Sequence, residues 1–400
     1  GLEAGSVFTA TAISAAIATL CMAFIANYPV ALASGMGLNA FFAFTVCGSM
    51  GYSYQVALTA ILVEGIIFII LSFFRFREAL VNKIPSNLKY GISAGIGLFI
   101  TLIALINSGV VVANESTVVG MGNYASAAFA LSLIGVIIIA ALQHYRVPGA
   151  ILLGIIITWI LGIFAQLIGW YVPAEGPSLI PSLSFSSIAA PTFFAFDFGF
   201  IAKNFTSFAL ITFTFLYTDI FDTVGTLIGV ANKAELLDEK GELPNAKGAL
   251  LSDAIGTIVG ACLGTSTVTS YVESTVGVAA GGKTGLTAAT TAVLFLVSII
   301  FAPIFLAIPT FATTPAVVYV GLLMLTSVKN IDFEGDIADA VSAFLAIVIM
   351  PLTYSIANGI MFGVIAWVLL KILTGKIKDI NPIMWISVAL FIIYILVQVV

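Results

Sequence analysis

Apolar blocks of roughly 20 residues, the length a helix needs to cross a bilayer, alternate with short polar stretches along this chain. They predict spans at about 6–28, 54–74, 90–112, 125–143 and 148–171, then 205–230, 248–263, 286–307, 316–328, 337–353, 357–373 and 383–399. Two stretches break the pattern. The first is Ala31-Leu32-Ala33-Ser34-Gly35-Met36-Gly37-Leu38-Asn39-Ala40-Phe41-Phe42, with glycines at its joint and Asn39 just past it. The second is Gly264-Thr265-Ser266-Thr267-Val268-Thr269-Ser270-Tyr271-Val272-Glu273-Ser274-Thr275-Val276-Gly277. Each reads as an extended run that feeds a short helix. Such backbone at membrane depth is tolerated only where it is buried in protein or lines a polar cavity. Glu273 stands at the junction, and a carboxyl at mid-bilayer costs about 2.5–3.5 kcal/mol, so it marks a site.

Composition agrees. Of 400 residues 61% are hydrophobic and 8% charged, against about 25% charged in a soluble domain, so the chain is a polytopic membrane protein. No basic stripe interleaved with aromatics exists to bind nucleic acid. Cys21, Cys47 and Cys262 fall inside apolar segments without metal or redox spacing, and the single histidine, His144, lies in a turn. No metal site and no catalytic nucleophile–base pair is expected, and proton chemistry must rest on carboxyls. Lys and Arg gather at 75–89 and 233–247, while 172–200 has none, which places the first two loops in the cytoplasm and the third outside.

Other polar residues fall within the spans. Asp219 and Asp222, at i and i+3, share one helix face. Together with Glu273 and Asn39 they supply, from three segments, the groups to hold a planar heterocycle: carboxylates for ring N–H and amine donors, an amide for both donor and acceptor. Phe41, Phe42, Tyr217 and Tyr271 lie beside them in the sequence and are candidates to sandwich a flat ring. Glu64 fits either proton coupling or a structural hydrogen bond. Asp253 reads more readily as a charge near the start of its helix than as a ligand. Gly256, Gly260 and Gly264 form a ridge suited to close helix packing.

An internal repeat is visible in order. Each break is followed by a long span and then an Ile-Pro pair, Ile84-Pro85 and Ile308-Pro309; later Val147-Pro148-Gly149-Ala150 corresponds to Ile356-Ala357-Asn358-Gly359. An odd number of crossings between equivalent elements gives the copies opposite topology, as in secondary transporters with paired broken helices.

Four runs then stand in register: Gly35 through Phe44; Asp219-Ile220-Phe221-Asp222-Thr223-Val224-Gly225-Thr226-Leu227; Val272-Glu273-Ser274 with Gly281-Gly282-Lys283-Thr284-Gly285; and Met350-Pro351-Leu352-Thr353-Tyr354-Ser355-Ile356-Ala357-Asn358-Gly359. Together they resemble the nucleobase–cation symporters of the xanthine/uracil permease superfamily, specifically the adenine/guanine/hypoxanthine permease branch. The resemblance implies an all-α integral membrane protein of two inverted seven-segment repeats, with short strand-plus-half-helix breaks in segments three and ten. It implies a core domain from 1–74 and 203–307 and a gate domain from 75–202 and 308–400. In the family, an acid on segment eight and one at the start of segment ten bind substrate. These positions fall on Asp219 and Glu273, with Asn39 the segment-three polar residue and Asp222 the second acid of segment eight. Import of purine nucleobases by proton symport follows, through an elevator-like motion in the cell membrane, as a homodimer and with no cofactor beyond the coupling proton. Asp219, Glu273 and Glu64 are the candidates for carrying that proton.

Two departures matter. The xanthine/uric acid branch has Gln or Glu followed by Asn in segment ten, whereas this chain has Glu273-Ser274, which favours the purine branch. The equivalent of the Asp219 segment should precede Gly5, so the chain reads as beginning at segment two; an inactive truncated permease is an alternative. Another is a sulfate- or bicarbonate-type anion transporter of the same fold, which would want a cation where Asn39 and Glu273 stand.

Overall fold

The computed structural model describes residues 2–35, 38–39, 41–73, 83–172, 179–180, 189–239, 243–305 and 307–399. Met36, Gly37 and Ala40 of the first break and the loop charges Arg75, Arg77, Lys240 and Glu242 lie outside the described residues.

Helix α1 (Ala4–Cys21) runs on as a π-helical stretch, Met22–Ala26, which Asn27 ends in the left-handed region at φ 59°. Strand β1 (Leu32–Ser34), a second π-helical stretch (Phe41–Ser49) and α2 (Tyr54–Phe73) follow. Next come α3 (Ser86–Asn107), a hairpin of β2 (Val111–Asn114) and β3 (Val118–Met121), α4 (Ala127–His144) and α5 (Ala150–Leu167). The later half holds α6 (Phe205–Lys233), α7 (Ala246–Leu263), β4 (Val268–Ser270), α8 (Ser274–Ala279) and α9 (Gly285–Ile300). It continues with α10 (Thr310–Leu325), α11 (Ile337–Thr353), α12 (Ile356–Leu373) and α13 (Pro382–Val399). Among the described residues nine helices are long and apolar enough to cross a bilayer, and α9, α11 and α13 are shorter apolar helices.

Several boundaries differ from the hydropathy reading, among them the end of the 286–307 span, which stops at Ile300; two have a plain local cause. The span expected over 90–112 ends at Asn107, because Ser108 and Gly109 (φ 72°) turn the valine-rich run after them into β2. The span expected from 316 begins at Thr310, immediately after Pro309, whose extended backbone opens the helix.

The chain packs as two compact units, one of Gly1–Ile96, Ile188–Ile300 and Ser327–Val400, the other of Gly97–Ser187 and Phe301–Thr326. In the first unit the order α1–β1–α2 recurs as α7–β4–α9. The helix after each break packs on the helix before the other: α2 on α7, α9 on α1. That exchange is what an inverted repeat produces. The glycine ridge of α7 lets the segments close up, since a Cβ on Gly256 would stand 2.7 Å from the Ala18 Cβ, and one on Gly260 2.9 Å from Val268. At one end of this unit Asp336 caps α11, accepting from the Ala338 N–H at 2.9 Å. Its other oxygen accepts from Lys371 Nζ (2.7 Å) and Lys376 Nζ (2.8 Å), and these ammonium groups hold the Asp336 carboxyl well below the usual carboxylate range. In the second unit α4, α5 and α10 pack around Leu131, Ala165 and Phe311.

Candidate functional site

The two breaks meet. β1 pairs antiparallel with β4, Leu32 opposite Ser270, Ala33 opposite Thr269 and Ser34 opposite Val268. The ladder is extended at each end by Gly35 N–H to the Thr267 carbonyl (3.0 Å) and Tyr271 N–H to the Ala31 carbonyl (2.9 Å). Both strands are fully buried, so these backbone groups satisfy one another where lipid and water cannot. Gly35 has to be glycine-sized: a Cβ there would lie 2.8 Å from the Thr269 methyl.

Beside the crossing lies a cavity of about 660 Å³, lined in part by Ser34, Asn39, Phe42, Thr265, Ser266 and Tyr271. Its size is ordinary for a small-molecule site. The wall is a net of hydroxyls. Thr265 Oγ1 lies 2.8 Å from both Thr11 Oγ1 and Ser34 Oγ, and the Tyr271 hydroxyl donates to the Ser34 carbonyl at 2.6 Å. Ser266 donates to the Asn39 side-chain oxygen, which leaves the exposed Asn39 amide to donate. Phe42, Tyr52 and Tyr54 supply aromatic surface, and none of the described lining residues is cationic.

Glu273 lines a second, smaller cavity of about 220 Å³ with Ser274, Thr287, Thr291 and Phe295. Tyr271 is in the wall of both cavities. Ser274 accepts from the Ala31 N–H at 2.9 Å, fixing the start of α8 against the first break.

Asp219 lies elsewhere, in a buried polar cluster on α6, α7 and β4. Thr223 Oγ1 stands 3.3 Å from Asp219 Oδ1, 3.0 Å from Asp253 Oδ1 and 2.7 Å from Thr269 Oγ1, and all four residues are buried. Glu64, also buried, accepts from Thr267 Oγ1 at 3.1 Å. Thr267, the residue before β4, and Thr269 on it are two apart in extended chain and share a face, so one side of this segment carries both sets of acids. Asp253 is no charge at a helix start: it is two turns into α7 and enclosed. The signal for it was a lone carboxyl well inside an apolar span.

The remaining predicted residues take other partners. Asp222 accepts from the Ala357 N–H in the first turn of α12, so the i, i+3 acids of α6 turn to different neighbours. Tyr217 stacks on Tyr394 of α13 at 3.8 Å and 12° and meets Phe391 edge-on. Phe41 packs edge-on against Phe215 at 4.8 Å in an apolar cluster, leaving Phe42 to face the larger cavity. The cavity residues that sequence reasoning passed over, Thr11, Ser34, Tyr52 and Tyr54, carry only hydroxyls and rings, which are common along the whole chain.

Comparison with known proteins fits this architecture. The xanthine/uracil-type profile of a permease family matches residues 2–362. The guanine/hypoxanthine permease PbuO of Bacillus subtilis is 41% identical over 99% of this chain and 91% of its own length. The adenine permease AdeP of Escherichia coli is 39% identical over 99% of this chain and 86% of its own. Among solved structures, the transmembrane domain of the cyanobacterial bicarbonate transporter BicA superposes with a TM-score of 0.55 at 18% identity, covering 89% of this chain and 96% of that one, which shows a shared fold. Matched along nearly its whole length by known permeases and by their family profile, this multi-pass membrane protein is a member of the xanthine/uracil permease family.

Proposed function

We propose that this chain imports purine nucleobases by proton symport, with the ring held where the two broken helices cross. The observation that carries this reading is the hydroxyl- and aromatic-lined cavity between Asn39 and Tyr271. A bicyclic base is flat and edged with donors and acceptors, and such a wall offers faces for stacking and amide and hydroxyl groups for the edge. The purine class comes from the relatives, whose names give guanine, hypoxanthine and adenine. In this reading Asn39 holds the ring edge in the larger cavity, and Glu273 acts from the smaller cavity with which it shares Tyr271. Asp219 shapes the site from the buried cluster behind β4, and Asp219, Glu273 and Glu64 are the groups from which the coupling proton comes and goes. Transport proceeds by an elevator-like shift of segments 1–74 and 203–307 against 75–202 and 308–400, within a homodimer.

Uptake of labelled hypoxanthine into vesicles, with and without an inward proton gradient, tests this. The gradient is expected to accelerate uptake, and Glu273→Ala and Asp219→Ala to lower it by roughly tenfold or more, the worth of a hydrogen bond to a charged group. Unchanged uptake in both variants removes the acids from the site. Anion transport, the activity named for the fold neighbour BicA, is the competing reading. The absence of a cationic side chain from the described lining disfavours it, and competition of uptake by bicarbonate or sulfate but not by adenine would establish it.

A further inference from the structure

The β2–β3 hairpin between α3 and α4 has no packing role that accounts for its sequence. It pairs Val111 with Met121 and Asn114 with Val118, and its two faces are both apolar. Val112 and Val118 lie on one face, Val119 and Met121 on the other, and all four are exposed. Val118 is 81% exposed and sits at φ 69°, a left-handed backbone that a β-branched residue adopts at a penalty and that glycine or asparagine adopts readily. Neither folding nor internal packing selects valine there. A two-stranded hairpin with apolar residues on both faces is also marginal in water.

We propose that this hairpin is an interfacial anchor, seated in the headgroup–acyl boundary of the bilayer. Its position fits: β2 begins four residues after α3 ends at Asn107. The exposed apolar surface of α5, through Phe164, Leu167 and Ile168, continues at the same end of this unit into Trp170. The Trp170 indole N–H donates to the Ala125 carbonyl at 2.8 Å, beside the exposed Tyr124, an aromatic pair of the kind enriched at membrane surfaces. Glu115 is the only charge between Ser108 and Ser126. The tip is polar, with Asn114 accepting from the Ser116 and Thr117 N–H groups. The depth follows from the backbone. The outer edges of an isolated hairpin keep unpaired N–H and C=O groups, which hydrocarbon excludes and hydrated headgroups satisfy. The hairpin therefore lies along the boundary, the face of Val112 and Val118 toward the acyl chains and the tip toward water.

Fluorophores attached at Val118→Cys and at Glu115→Cys, in a chain whose three cysteines are replaced by serine, locate the hairpin in phosphatidylcholine vesicles. The label at 118 is expected to lose roughly half its emission to shallow nitroxide lipids and little to aqueous iodide, and the label at 115 the reverse, as for a segment buried a few ångströms into the boundary. A second measurement uses the unaltered chain: photolysis of a diazirine phospholipid should place adducts on the hairpin peptide. Quenching at 118 by iodide with none by lipid, or hairpin peptides cross-linked to a second copy in place of lipid, overturns the proposal.

Discussion

One hydroxyl, that of Thr223, stands within reach of Asp219, Asp253 and Thr269. It has a single proton to give and two lone pairs, so it satisfies one carboxyl and accepts from one neighbour at a time. Thr223→Val should lower unfolding stability by about 1–3 kcal/mol, because buried polar groups lose one of their hydrogen-bond partners, whereas Thr223→Ser should keep most of it. Thermal unfolding of the purified protein in detergent reads the difference, and equal midpoints for the two variants would show the hydroxyl to be idle. Reading the sequence finds Asp219, Glu273 and Glu64 because any carboxyl in an apolar span is costly. It does not find where each points. Asp219 and Asp222 share a helix face by spacing, yet with α6 packed against β4 and α12 one meets Thr223 a turn along its own helix and the other Ala357 of α12.

Elements were legible to different degrees, for a physical reason. The breaks at Ala31 and Gly264 stand out because hydroxyl-rich, glycine-flanked runs are rare between apolar blocks. The β2–β3 hairpin does not, since Val110-Val111-Val112 prolongs the apolar block of α3 and only Ser108-Gly109 marks the turn. Helix contacts within the second unit depend equally on residues that carry no hydropathy signal. A Cβ on Gly321 of α10 would stand 2.0 Å from Thr101 Oγ1 and 2.5 Å from the Gly97 carbonyl of α3. Gly321→Ala should therefore force the two helices apart and cost about 1–3 kcal/mol, the usual range for overpacking. An unshifted thermal midpoint in that variant would mean that the helices yield freely there.

At the scale of the whole molecule, the repeat order was readable from paired motifs such as Ile84-Pro85 and Ile308-Pro309, while the exchange of α2 and α9 across the repeats needed coordinates. Charge at the protein's edge has a measurable consequence too. The Asp336 carboxyl is held below its ordinary value by Lys371 and Lys376, so the stability it adds is fully present above about pH 4 and is lost as pH falls through its folded value. With Lys376 half exposed, that contribution is about 1 kcal/mol. Asp336→Asn should unfold at lower temperature than wild type at neutral pH, with the gap closing on acidification; a gap that stays constant with pH would assign the effect to the helix cap alone. The ladder of β1 with β4 also bears on biosynthesis. Ser34 is made well over two hundred residues before Val268, its register partner, so at cellular rates the first strand waits roughly ten to fifty seconds for its complement. During that interval the Thr19 hydroxyl can bond Leu32, but the strand lacks its ladder partner. The nascent first half should thus be a substrate for membrane insertases and quality-control proteases, and a ribosome stalled before β4 should leave a product that is degraded.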